Sequence, residues 1–239
     1  MIRIENVYHK HEGETGSLFD VNVEFPKGTI SAVLGDYNSG KTTLMMCIGQ
    51  FLKPQRGRIT LDGTDIYTIP EQEFRHKVGI VFKKSYLFKH LTVLENLAFG
   101  LIHVYKIKKV RAEREARAIL DHLSIIGISD KYPAQITSLQ AQRVAIARSL
   151  LLRPDYVLLE EPLEAFSEQF HNVTCTRDET NINEALDDLV QWLKKLIDET
   201  NFIIFTHDPL FVRKVANQGI AMSQGKIFHS GDGENLQKN

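Results

Sequence analysis

Gly35-Asp36-Tyr37-Asn38-Ser39-Gly40-Lys41-Thr42 follows the apolar run Ile30–Leu34 and opens a helical pattern. The eight residues fit G-x-x-x-x-G-K-[ST], and the strand-before, helix-after context fits as well. Gly35 and Gly40 allow a sharp turn with no Cβ in the way of a phosphate. Successive N–H groups, contributed with Asn38, Ser39 and Thr43, then face an anion at a helix N-terminus. Lys41 reaches the outer phosphates and Thr42 offers a hydroxyl to Mg²⁺. Asp36 is out of place in such a cradle unless its carboxylate points outward.

Outward from that loop, strand-like segments recur at 2–7, 19–25, 58–61, 79–82, 156–159, 202–206, 219–222 and 226–229. Helical patterns separate many of them, at 41–52, 93–104, 109–126, 140–152, 183–198 and 209–215. This alternation predicts an α/β fold with a mainly parallel sheet covered on both faces. The early strands have no helix between them. They predict an antiparallel β flank, turning at Gly13–Gly16 and at Pro26-Lys27-Gly28. From about His90 to Pro133 the chain is helical and charged, and Thr92 with Glu95 forms a capping box at its entrance. That stretch is expected to be a helical subdomain inserted into a single domain spanning 1–239. Gln169–Asn183 is polar and weakly periodic, and is expected to be a surface loop.

Tyr156-Val-Leu-Leu-Glu160-Glu161-Pro162 is an apolar strand ending in paired acids. In a chain with a phosphate loop, such a strand end brings carboxylate to Mg²⁺ and to the attacking water. Glu161 is the expected base that polarises water, and Glu160 the expected metal-holding carboxylate. Phe202-Ile-Ile-Phe-Thr206-His207 is a second apolar strand, ending in histidine.

The 239 residues are 43% hydrophobic and 25% charged with a formal net charge of −1, an ordinary globular mix. Such a charge favours neither nucleic acid nor an anionic membrane. The two cysteines, Cys47 and Cys175, form no metal-ligand spacing and no disulfide framework, which suits a reducing compartment. The N-terminus lacks the apolar core of a signal peptide, and no run is long enough to span a bilayer. A cytoplasmic protein, carried to a membrane only by partners, is expected.

In order, these segments resemble an ABC ATPase, a P-loop NTPase, and are most similar to the subunits that energise polar amino-acid importers. Ser85-Tyr-Leu-Phe-Lys-His-Leu-Thr-Val-Leu-Glu-Asn-Leu resembles the start of that family's helical subdomain. Tyr132-Pro-Ala-Gln-Ile-Thr-Ser-Leu-Gln-Ala-Gln-Arg resembles its signature region. The resemblance implies ATP and Mg²⁺ as cofactors. It also implies a second ABC ATPase subunit and transmembrane permease subunits as partners. Within it, His207 is the histidine that senses the terminal phosphate, and His11, or alternatively Tyr8, is the aromatic residue for adenine, unless it only covers a strand edge. Thr137 and Ser138 would meet the phosphate held by the opposite subunit, although Thr137-x-x-Gln140 is equally a capping box.

Several motifs depart from the family's pattern. Lys83 stands where the family has glutamine, offering donors only where a carbonyl would meet metal. It could instead pair with phosphate, or be one of two exposed lysines beside Lys84. Leu139 replaces a signature glycine, Glu160 replaces an aspartate, and Glu164-Ala165-Phe166-Ser167 lacks the aspartate usual there. Two readings follow: an ATPase subunit of an importer, or a nucleotide-binding regulatory subunit with little turnover. A soluble DNA-repair or translation role lacks the expected heptad insertion or zinc cluster.

Overall fold

The computed structural model describes residues 1–10, 17–164 and 179–233, with the backbone alone for 179–186 and 188. His11, the Gly13–Gly16 turn, Ala165–Ser167, Cys175 and most of the expected 169–183 loop lie outside the described residues. The last five residues of that loop fall within a helix that begins at Glu179.

Two sheets form. β1 (Ile2–His9), β2 (Leu18–Phe25), β4 (Arg56–Leu61) and β5 (Thr64–Asp65) make an antiparallel sheet ordered β2-β1-β4-β5. β3 (Ile30–Leu34), β6 (Val78–Val81), β7 (Tyr156–Glu160), β8 (Asn201–Thr206), β9 (Gln218–Ser223) and β10 (Lys226–Asp232) make the second. Its order is β10-β9-β3-β8-β7-β6, parallel except for the β9–β10 hairpin. The expected α/β fold with an antiparallel flank is therefore present.

The central strands β3, β7 and β8 are buried on both faces, and their two-residue period sorts side chains into two cores. Val157, Leu159, Phe202 and Ile204 face one cluster, which collects α3 (Val93–His103), α4 (Lys109–His122), α5 (Ser138–Leu150), α6 (Glu179–Leu196) and α7 (Pro209–Val215). Tyr156, Leu158, Ile203 and Phe205 face the other, shared with α1 (Lys41–Ile48) and with Ile2, Ile4 and Phe25 of the antiparallel sheet.

The 82–155 stretch between β6 and β7 carries α3, α4, two 3₁₀ turns and α5. The box at Thr92 and Glu95 closes both ways. The fully buried Asn96 takes the Phe88 N–H at 2.7 Å and donates to the carbonyls of Phe88, Leu91 and Thr92. It thereby fastens the approach loop to α3. Trp192, the chain's one tryptophan, donates its indole N–H to the Leu123 carbonyl at 3.4 Å, at the end of α4. The Arg143 guanidinium of α5 lies 5.9 Å from its ring centroid.

Two elements escape the pattern reading. β5 is two residues long, and α2 (Glu71–Lys77) buries only Phe74, leaving no apolar period to detect. α1 also stops at Ile48, short of the expected Leu52. Gln50 ends it by turning left-handed at φ 59°, with the Phe51 N–H returning to the Met46 carbonyl at 2.9 Å, and Gly49 before it fits against β6, where a Cβ would lie 2.7 Å from the Ile80 Cδ1.

Candidate nucleotide site

The parallel strands end level with one another, and this places the site. Leu34 pairs with Thr206 across β3–β8, and Glu160 with Phe205 across β7–β8. The ladder continues one step further: Gly35 N–H donates to the Thr206 carbonyl at 3.2 Å and Glu161 N–H to the Phe205 carbonyl at 2.8 Å. The phosphate loop, the paired acids and His207 thus emerge side by side, in the crevice beyond the carboxyl ends of the strands where open α/β sheets bind ligands.

Gly40 caps α1 in a left-handed conformation, with φ 102°. The helix N-terminus, whose first-turn N–H groups have no intrahelical acceptor, points into the crevice. The glycines also have a packing role. A Cβ on Gly35 would meet the Met222 carbonyl oxygen and the Ser39 hydroxyl, and one on Gly40 would meet Met222, Ser17 and Leu18. Neighbouring protein atoms alone already require glycine at both positions. Asp36 is exposed, as a phosphate cradle requires. Asn38 adopts φ 63°, Ser39 and Thr43 are buried, and Thr42 is exposed at the loop's mouth.

Lys41 is only 6% exposed. Its ammonium donates to the Gly35 carbonyl at 2.6 Å and the Asp36 carbonyl at 2.9 Å, and lies 3.9 Å from Glu161 Oε1. Burial pulls its pKa below the usual lysine value, and Glu161, Asp36 and Glu160 oppose that pull. Thr42 Oγ1 donates to Glu160 Oε1 at 2.9 Å. Glu160, with one methylene more than the family's aspartate, therefore still reaches the hydroxyl expected to share Mg²⁺ with it. Two hard oxygen ligands this close fit Mg²⁺, which coordinates oxygen at about 2.0–2.1 Å.

Glu161 is 9% exposed and sits at φ 41°, a left-handed conformation that costs a non-glycine residue about 1 kcal/mol or more. One of its oxygens, Oε2, lies 2.9 Å from His207 Nδ1 and accepts the His207 N–H at 3.2 Å. His207 is held from behind. Asp208 caps α7 through the N–H groups of Leu210 and Phe211 and donates its own N–H to Thr206.

Tyr37 had no sequence signal of its own, and the partners of Lys83 and Glu164 had none. The Tyr37 ring, 68% exposed, packs on His207 with centroids 5.1 Å apart. Lys83 donates its N–H to Glu160 Oε2 at 3.4 Å and its ammonium to Glu164 Oε1 at 3.3 Å. These meetings join residues up to 170 positions apart, far beyond any local pattern. Thr137 and Ser138 are not part of this crevice's hydrogen-bond network. The Thr137 hydroxyl accepts the Gln140 N–H at 3.1 Å and Gln140 Oε1 accepts the Thr137 N–H at 3.0 Å, closing a capping box at the start of α5.

The profile of the ABC transporter family matches residues 18–164. A glutamate transport ATP-binding protein, GluA of Corynebacterium glutamicum, is 35% identical over 232 residues, covering 95% of this chain and 88% of that protein. The sulfate/thiosulfate import ATP-binding protein CysA of Synechocystis is 33% identical over 237 residues; the match covers 98% of this chain but 61% of CysA's length. Among solved structures, the dimeric bacterial ABC transporter cassette MJ0796 superposes with a TM-score of 0.79 at 26% identity, over 97% of this chain and 98% of that one. The same cassette is also known as a dimer in a post-hydrolysis state bound to ADP and Pi. With a profile running over more than half of its length and relatives matched along nearly all of it, the chain belongs to the ABC transporter family, as an ATP-binding cassette of the ATPase type.

Proposed function

We propose that the chain is the ATP-hydrolysing subunit of an ABC importer for a polar amino acid or a similar solute. It would work as a dimer with a second cassette, held at the cytoplasmic face of the membrane by permease subunits. Among the described residues no helix is long and apolar enough to cross a membrane. The names of the relatives support an importer, and glutamate and sulfate among their solutes keep the substrate class polar.

The observation that carries hydrolysis is the Glu161–His207 contact at 2.9 Å, beside a lysine held in the phosphate loop. His207 occupies one carboxylate oxygen of Glu161 and fixes the other, Oε1, toward the loop. A water accepted there would be aligned and partly deprotonated as it attacks the terminal phosphate. Lys41 would leave its loop carbonyls for the outer phosphates, and His207 would steady the charge that develops. Thr42 and Glu160 would hold Mg²⁺, which supplies charge neutralisation between the outer phosphates. Thr137 and Ser138 would serve the partner's site, and His11 or Tyr8 the adenine.

A second reading keeps nucleotide binding but not turnover. Lys83, whose backbone N–H rather than a side-chain carbonyl meets the metal-holding carboxylate while its ammonium pairs with Glu164, and the capped Thr137 favour it. Steady-state ATP hydrolysis with Mg²⁺, measured beside Glu161→Gln and a binding titration, separates the two. Turnover that falls at least about a hundredfold in the variant supports the ATPase. Tight ATP binding with no turnover in either protein supports the regulatory subunit.

A further inference from the structure

Lys83 shares a carboxylate with the phosphate loop. Glu160 takes the Thr42 hydroxyl on one oxygen and the Lys83 N–H on the other, at 2.9 and 3.4 Å. The lysine backbone is therefore at the edge of the nucleotide crevice. The segment behind it is braced by Arg148, which donates to the carbonyls of Ser85 and Tyr86 at 2.9 and 3.1 Å. The Lys83 ammonium pairs with Glu164 at 3.3 Å, and the Glu160 carboxylate also attracts it. The pair is open to water, the lysine side chain being 45% exposed, and exposed pairs contribute little. A terminal phosphate in the crevice carries more charge than one carboxylate and accepts more hydrogen bonds.

We propose that Lys83 is a terminal-phosphate ligand that favours ATP over ADP by exchanging Glu164 for the γ-phosphate. This rests on the reading of Gly35–Thr42 as an ATP site and deepens it. The departure from glutamine then adds a cationic contact made only by the triphosphate, because a diphosphate ends one group short. Glu164 acts as the competitor that keeps the lysine parked while the terminal phosphate is absent.

The test is calorimetric titration of ATP and of ADP, each with Mg²⁺, into the wild type, Lys83→Met, Lys83→Arg and Glu164→Gln. Loss of one charge-assisted hydrogen bond should weaken ATP about tenfold in Lys83→Met while ADP changes by less than about twofold. Lys83→Arg should keep most of the ATP affinity. Glu164→Gln, which leaves the lysine in place and removes its competitor, should tighten ATP alone. An unchanged ratio of ATP to ADP affinity in Lys83→Met or in Glu164→Gln overturns the assignment while leaving the phosphate loop intact. A wild type that binds neither nucleotide overturns the loop reading and the lysine with it.

Discussion

A Cβ placed on Gly35 would lie 2.3 Å from the Met222 carbonyl oxygen and 2.6 Å from the Ser39 hydroxyl. Backbone cannot step aside as a flexible side chain can, so Gly35→Ala should displace the phosphate loop from β9. We expect it to cost about 1–3 kcal/mol in urea unfolding, with ATP affinity falling in parallel. Lys41 sets a pH dependence. Its folded pKa lies below the ordinary 10.5, with burial the leading cause. The ammonium is therefore lost earlier on alkalinisation than from a free lysine, and attraction for phosphate goes with it. ATP affinity should drop before pH 10.5 is reached, and Lys41→Arg should lack that alkaline limb. The sign for stability is opposite: the unfolded chain holds this proton more tightly, so the group's contribution rises with pH through the same window. Cys47, packed behind the loop on α1, has its thiol pushed up to about 12 by burial. Its peptide should stay unalkylated by iodoacetamide at pH 8 in the native protein, as read by mass spectrometry. Lys41, Glu160, Glu161 and His207 were legible at this scale because each abuts an apolar strand or a glycine turn. Tyr37 on His207 and Lys83 on Glu164 were not, since nothing local to either residue announces its distant partner.

Elements were legible in proportion to the strength of their periodicity and end signals. β3 runs from Ile30 to Leu34 and α7 from Pro209 to Val215, as the pattern predicts, because a glycine turn closes one and Asp208-Pro209 opens the other. α2 and β5 went undetected because their stability comes from neighbours: α2 contributes one buried phenylalanine and β5 only two residues to the ladder. α5 starts where a capping box places it, two residues before the span read from its apolar residues. Removing that box tests how much the start of α5 depends on it. Thr137→Ala should destabilise the protein by about 1 kcal/mol, and Thr137→Ser by far less, in urea unfolding. If the hydroxyl serves only the cap, ATP-dependent self-association should survive Thr137→Ala at protein concentrations where the variant remains folded.

At the scale of the molecule, the alternation of strand and helix was sufficient to give the architecture, and the level ends of β3, β7 and β8 explain why the phosphate loop, the paired acids and His207 share one crevice. The order of pairing, β10-β9-β3-β8-β7-β6, is beyond local patterning because most neighbours are distant in sequence. That topology puts the helices of the 82–155 stretch on one face of the large sheet and the phosphate-loop helix on the other. Any ligand that draws on Lys83 acts where the strands hand over to those helices. Trp192 sits beside that stretch, its indole on Leu123 and a guanidinium near its face. A single indole lodged at such a seam is an intrinsic fluorophore with a private view of it. Its emission maximum and its quenching by iodide can follow the helices' response to nucleotide in real time, without a dye, a cysteine label or any change to the sequence.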